Sequence, residues 1–304
     1  MSHRAQLTIA GVRFAMTCDC DIANVAPSPA YRDFTHPPAV QPDVEVAVTL
    51  VPQPVVGLAE YSRQFDADDM WSLFRNGDTR YVTHTGWGIE APLWSAELQL
   101  DASAMRIYCG AVLVSGAGEE RTVSSPLRYP LDQILLTYVL ARREGLLLHS
   151  AGIEYGGQLW LLAGRSGAGK STAAQLLQGR SDVALLSDDR IVVRRVGETF
   201  KGFGTPWPGD ARVAVDRQAP LAGILLLAQS SDNRIAPVRA AEAVERLLPM
   251  ISVPWYEPEL FPEVLSFCGT LVESVPTYEL QFRPDDDAAR MLVDFMHASL
   301  ITGE

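Results

Sequence analysis

The chain has 304 residues, 47% of them hydrophobic, and a formal net charge of −12. That length favours about two domains over one, and the acidic balance provides no broad basic surface to hold nucleic acid or an anionic membrane. Its most apolar run, Leu221 to Ala228, is far too short to cross a bilayer.

The polar N-terminus is followed by no apolar core of signal-peptide type. Cys18, Cys20, Cys109 and Cys268 lack redox or zinc spacing, and the five histidines are scattered. A reduced, cytoplasmic protein is expected.

The first part reads as β-rich. Gln6 to Cys18 mixes apolar and polar positions with β-branched residues, and Pro27, Pro29, Pro37, Pro38 and Pro42 mark irregular chain. Val44 to Leu50 alternates as a half-buried strand does. Tyr81 to Thr85, Ala96 to Leu100 and Met105 to Val114 are further strands, with turns or bulges at Gly86, Gly88, Pro92 and Gly110. Residues 1–124 are expected to form a β-rich recognition or accessory domain, ending in the turn-rich segment around Gly116 to Pro126. Residues 125–304 are expected to form an α/β nucleotide-binding domain.

Pro130 to Arg143 has helical spacing, Gly145 suits a helix terminator, and Leu146 to Leu148 begins a short strand ahead of His149. Strands are expected at Leu159 to Ala163, Val183 to Leu186, Ile191 to Arg195, Leu221 to Ala228 and Val275 to Phe282. Helices are expected at Ala240 to Leu248, Glu257 to Cys268 and Asp285 to Leu300. The acidic first turn of the last helix complements its dipole.

Gly164, Arg165, Ser166, Gly167, Ala168, Gly169, Lys170 and Ser171 match G-x-x-x-x-G-K-[ST] at every fixed position. An apolar strand enters this loop, and a helix beginning near Thr172 leaves it. In such a cradle, backbone N–H groups point at phosphates, the lysine neutralises their charge and the serine hydroxyl ligates Mg²⁺. Arg165 either caps a phosphate or faces solvent.

Asp188 and Asp189 end a buried strand, where open α/β sheets place ligand-binding groups. Two such carboxylates can divide metal binding from orienting or deprotonating an attacking hydroxyl. A solvated acidic turn ahead of Arg190 is the plainer alternative. His149 is a candidate for the same shell, or a structural histidine. Lys201 to Gly209 is expected to be irregular, with three glycines and two prolines. Thr205, Trp207 and Arg212 are its candidates for substrate contact, although Trp207 equally suits a hydrophobic anchor.

His149-Ser150-Ala151-Gly152, the loop Gly164 to Ser171, and Ser187-Asp188-Asp189 together resemble the catalytic core of the HPr serine kinase/phosphorylase family. Gly204-Thr205-Pro206-Trp207 resembles its kinase-like branch, parts of which accompany modified-peptide pathways. The resemblance implies a P-loop core of the HPr kinase/phosphoenolpyruvate carboxykinase type in residues 125–304, using ATP and Mg²⁺. It implies Lys170 on the transferred group, Ser171 and Asp189 near the metal, and Asp188 as base beside the acceptor hydroxyl. His149 would join them.

The acceptor would be a serine in a protein or peptide, or a hydroxyl on a small metabolite, and a homo-oligomer is possible by the same analogy. The N-terminal part does not match the usual regulatory domain, so HPr itself is a poor expectation for substrate. An NTPase switch and a nucleotide-sensing binding protein are the competing readings.

Overall fold

The computed structural model describes residues 3–18, 24–26, 28–37, 41–52, 58–67, 70–85, 92–116, 122–165, 167–177 and 179–302. Cys20, Gly86, Gly88 and Ser166 lie outside them. The architecture is mixed α/β with several sheets. The chain divides into two compact units, Met1–Val139 and Leu140–Glu304.

In the first unit, β1 (His3–Ile9), β2 (Val12–Cys18), β3 (Asn24–Ala26), β4 (Thr35–His36) and β5 (Val44–Leu50) come first. They are followed by β6 (Ser62–Ala67), β7 (Trp71–Asn76), β8 (Thr79–Thr85), β9 (Pro92–Gln99) and β10 (Ala104–Cys109). β11 (Val114–Ser115) and β12 (Thr122–Ser124) complete the strands. Nine of them form one sheet in the order β4-β1-β2-β5-β10-β9-β8-β7-β6, and β11-β12-β3 form a small second sheet. The two-residue period decides which face is buried: Val44, Val46 and Val48 are buried while Glu45 is exposed. The strand expected to run to Val114 stops at Cys109, and a 3₁₀ turn occupies Ala111–Leu113.

The helix α1 (Leu131–Ala141) crosses the division between the units. Its first turn belongs with the first unit, because the Tyr31 hydroxyl lies 2.6 Å from Asp132 Oδ2 and accepts the Tyr129 N–H. The contact division therefore falls later along the chain than the turn-rich segment at Gly116 to Pro126.

The second unit contains β13 (Gly145–Tyr155), β14 (Gln158–Ala163), α2 (Lys170–Leu177), β15 (Val183–Ser187), β16 (Arg190–Val196), β17 (Thr199–Phe203) and β18 (Gln218–Gln229). β19 (Arg234–Pro237), α3 (Ala240–Leu247), α4 (Phe261–Ser274), β20 (Thr277–Phe282) and α5 (Asp286–Thr302) follow. Two long strands do double duty. The first half of β13 pairs with β16 and its second half with β14 and β15. The start of β18 pairs with β17, and the rest lies parallel to β14 and β20.

The ladder β13-β16-β17-β18-β14 thus closes back on β13. Lys201 to Phe203 belong to β17 rather than to irregular chain, paired with β16 and β18, and Gly202 has no room for a side chain there, since a Cβ would lie 2.0 Å from Leu159 Cδ2. One face of the sheet packs α2 and α5 through Trp160, Leu162, Leu177, Leu225, Phe282 and Met296.

Among the described residues, no helix is long and apolar enough to cross a membrane. Cys109 and Cys268 are free and buried. Cys18 is disulfide-bonded, in contrast to the reduced state expected from the sequence.

Candidate functional site

The chain leaves β14 at Ala163 and enters α2 at Lys170. Between them Gly167 and Gly169 take φ of +79° and +101°, which side-chain-bearing residues rarely adopt. Gly164 has no room for a side chain, since a Cβ would lie 2.7 Å from Ala168 Cβ. Ala168 N–H donates to the Arg165 carbonyl at 3.0 Å, and Gln229 Nε2, at the end of β18, donates to the Gly167 carbonyl at 2.9 Å.

Lys170 is 7% exposed and folds back over this loop. Its Nζ donates to the Gly164 carbonyl at 2.8 Å and to that of Arg165 at 3.4 Å. Burial lowers the Lys170 pKa, Asp189 opposes the shift, and Arg190 adds to it. Ser171 and Thr172 are half-buried in the first turn of α2, and Arg165 is exposed.

Two adjacent carboxylates on an extended strand point to opposite faces. Here the chain turns at the end of β15, and Ser187 Oγ accepts the N–H groups of Asp189 and Arg190 at 3.4 and 3.2 Å. Asp188 and Asp189 therefore have different surroundings. Asp188 is 2% exposed. Its Oδ1 accepts N–H bonds from Gly209 and Val213 at 2.9 and 3.2 Å, and its Oδ2 accepts one from Ala211 at 2.7 Å. The expected acceptor-facing base thus has both oxygens turned into the 209–213 loop.

The Asp189 side chain is 29% exposed, with Oδ1 3.3 Å from His149 Nδ1 and Oδ2 3.2 Å from Arg190 Nε. Burial, then Lys170 and to a smaller extent Arg190, depress the His149 pKa, while Asp189 raises it. Lys170, His149, Asp189 and Arg190 therefore form one electrostatic cluster.

The substrate-contact candidates divide. Thr205 is fully buried, and its hydroxyl donates to the Arg190 carbonyl at 2.7 Å. Trp207 is also buried. Both act here as anchors of the segment that follows β17. Arg212 is exposed at the loop tip and takes a φ of +57°. Gly209 brings this loop against the turn, since a Cβ there would lie 3.0 Å from Asp189 Cβ.

Ser187 entered the sequence reading only within the Ser187-Asp188-Asp189 resemblance and Arg190 only as the residue after the acidic turn, while Gln229 and Ser252 were given no part. Ser252, which accepts from Arg190 Nη1 at 3.0 Å, had no local signal, because its partner is remote in sequence.

The site suits a polyphosphate on structural grounds: a buried ammonium faces a loop whose glycines leave its backbone bare. Among the described residues no group of three or more His, Cys, Asp or Glu could hold a metal. Mg²⁺ does not require one, since it binds through one or two protein ligands together with phosphate oxygens and water. The Ser171 hydroxyl and the Asp189 carboxylate are oxygen donors of that kind.

A family model described as SynChlorMet cassette protein ScmC matches residues 130–282, half of the chain. A search of curated proteins finds no match. Among solved structures, the Hpr(Ser) kinase/phosphatase from Coxiella burnetii aligns with 51% of this chain and 97% of its own at 10% identity. Its TM-score of 0.31 is too low to carry an argument.

Proposed function

The chain belongs to the ScmC family, and we propose that it is an Mg²⁺-dependent ATP phosphotransferase with an HPr-kinase-like P-loop core. The acceptor is a serine or related hydroxyl on a protein, peptide or metabolite. The observation that carries this reading is the joining of the complete G-x-x-x-x-G-K-[ST] loop with an accessible carboxylate in one electrostatic cluster. Phosphoryl transfer to a hydroxyl needs those two parts and little covalent help from the protein.

When bound, ATP with Mg²⁺ supplies the transferable phosphoryl group and part of the neutralising charge. The chain's own residues do the rest. Backbone N–H groups of Gly167, Gly169, Lys170 and Ser171 would hold phosphate oxygens, and Lys170 would leave its loop carbonyls to stabilise charge on the transferred group. Ser171 and Asp189 would hold the metal. Asp189 is the carboxylate that meets the acceptor hydroxyl, orienting it and taking its proton, in place of Asp188. Asp188 instead organises the 209–213 loop beside it. His149, its pKa depressed by burial and by Lys170, sets Nδ1 3.3 Å from Asp189 Oδ1, where a ring N–H can donate to the carboxylate.

Calorimetry and ADP formation test the reading with ATP and Mg²⁺ in wild type, K170A and D189N. Wild type binds and forms ADP when acceptor fractions of native cell extract are added. K170A loses binding, whereas D189N binds but does not turn over. Equal binding by K170A and wild type sinks the reading.

A further inference from the structure

Arg190 is the first residue of β16, and its backbone is fixed from both sides. Its N–H donates to Ser187 Oγ at 3.2 Å, and its carbonyl accepts the Thr205 hydroxyl at 2.7 Å. The guanidinium reaches two ways. Nε donates to Asp189 Oδ2 at 3.2 Å, and Nη1 donates to Ser252 Oγ at 3.0 Å. Ser252 is itself tied down, its N–H donating to the Leu147 carbonyl at 2.8 Å, two residues before His149. The Asp189 backbone is equally held, its carbonyl accepting the Ser150 N–H at 3.0 Å. Among the described residues, each Asp189 carboxylate oxygen then has one partner, His149 on Oδ1 and Arg190 on Oδ2.

A partly exposed ion pair contributes little to stability. The same pair braced by a third group fixes a rotamer, and transfer chemistry is sensitive to misplacement by as little as about 1 Å. We propose that Arg190 is a positioning residue: Ser252 braces its guanidinium, and the guanidinium holds the Asp189 carboxylate toward Lys170 and the incoming hydroxyl. This inference rests on the phosphotransferase reading. It differs from a role for Arg190 as a bare positive charge, which a lysine would fill equally well. Only a planar fork reaches Asp189 and Ser252 together.

Turnover of ATP with Mg²⁺ and acceptor-containing cell extract is measured for the full chain. Arg190→Gln lowers kcat by about 10- to 100-fold, the usual cost of losing a group that orients a functional ligand, with the KM for ATP nearly unchanged. Arg190→Lys restores only part. Ser252→Ala lowers kcat in the wild-type background and has no further effect in Arg190→Gln, because it acts through Arg190 alone.

Full rescue by Arg190→Lys, or an equal effect of Ser252→Ala in both backgrounds, overturns the proposal. A second cycle needs no turnover. In urea unfolding, the midpoint shift of the Arg190→Gln/Asp189→Asn double variant is smaller than the sum of the single shifts; additive shifts overturn the clamp. Absence of wild-type turnover counts against the phosphotransferase reading and leaves this second cycle to decide the clamp.

Discussion

Asp188→Asn separates a loop-organising carboxylate from a reacting one. Asp188 accepts three backbone N–H bonds at 2.7 to 3.2 Å while 2% exposed. In the variant, the amide oxygen can replace Oδ1 and keep Gly209 and Val213. The amide nitrogen then stands where Oδ2 accepted from Ala211, donor against donor. One charge-assisted bond is lost and two become neutral ones. A bond to a charged group contributes about 1.5–3 kcal/mol and a neutral one about 1, so the loss is about 3 kcal/mol after allowing for non-additivity.

For a unit of this size that lowers Tm by about 6–12 °C. Asp189→Asn, at a partly exposed pair, costs about 1 kcal/mol or less but stops transfer. Urea and thermal unfolding, run beside ADP formation, compare the two variants. An Asp188→Asn chain as stable as wild type but inactive would refute the assignment and return the acceptor-facing role to Asp188.

Gly164→Ala places a methyl 2.7 Å from Ala168 Cβ and 3.3 Å from Leu227 Cβ. It costs about 1–3 kcal/mol of stability and weakens ATP binding by calorimetry, because the loop must shift. Arg212→Gly relieves a left-handed backbone at φ +57° and raises stability by up to about 1 kcal/mol; if Arg212 meets substrate phosphate, the more stable variant turns over more slowly. Asp285 caps α5 through the Ala288 N–H, and that bond, with the Arg283 contact, holds its pKa at about 2, below the ordinary aspartate value of about 3.9. Its stabilisation is therefore complete above about 4 and is lost as pH falls toward 2. The Tm difference between wild type and Asp285→Ala should close over that window and stay constant from pH 5 to 7.

The strand–loop–helix order was legible because local rules fix it: an apolar run, glycines for positive φ, and a lysine at the helix start. The closing of β13-β16-β17-β18-β14 was not legible, since it depends on two strands that each pair in two directions. β6 went unread because Ser62 to Ala67 is largely exposed and carries no alternating apolar signal. Within the site, the Asp188-Asp189 pair was visible, but the different surroundings of its members were not. Those surroundings are residues 209–213 for Asp188 and His149 and Arg190 for Asp189, and spacing cannot tell which oxygen meets which group.

Following the γ-phosphate of labelled ATP, with Mg²⁺, in native cell extract treated with wild type or K170A separates phosphoryl transfer from hydrolysis and from binding alone. With wild type, label becomes covalently attached to a protein, peptide or small hydroxyl compound; with K170A it does not. Label released only as inorganic phosphate, or ATP bound and left intact, would contradict a phosphotransferase in favour of an NTPase or a nucleotide sensor.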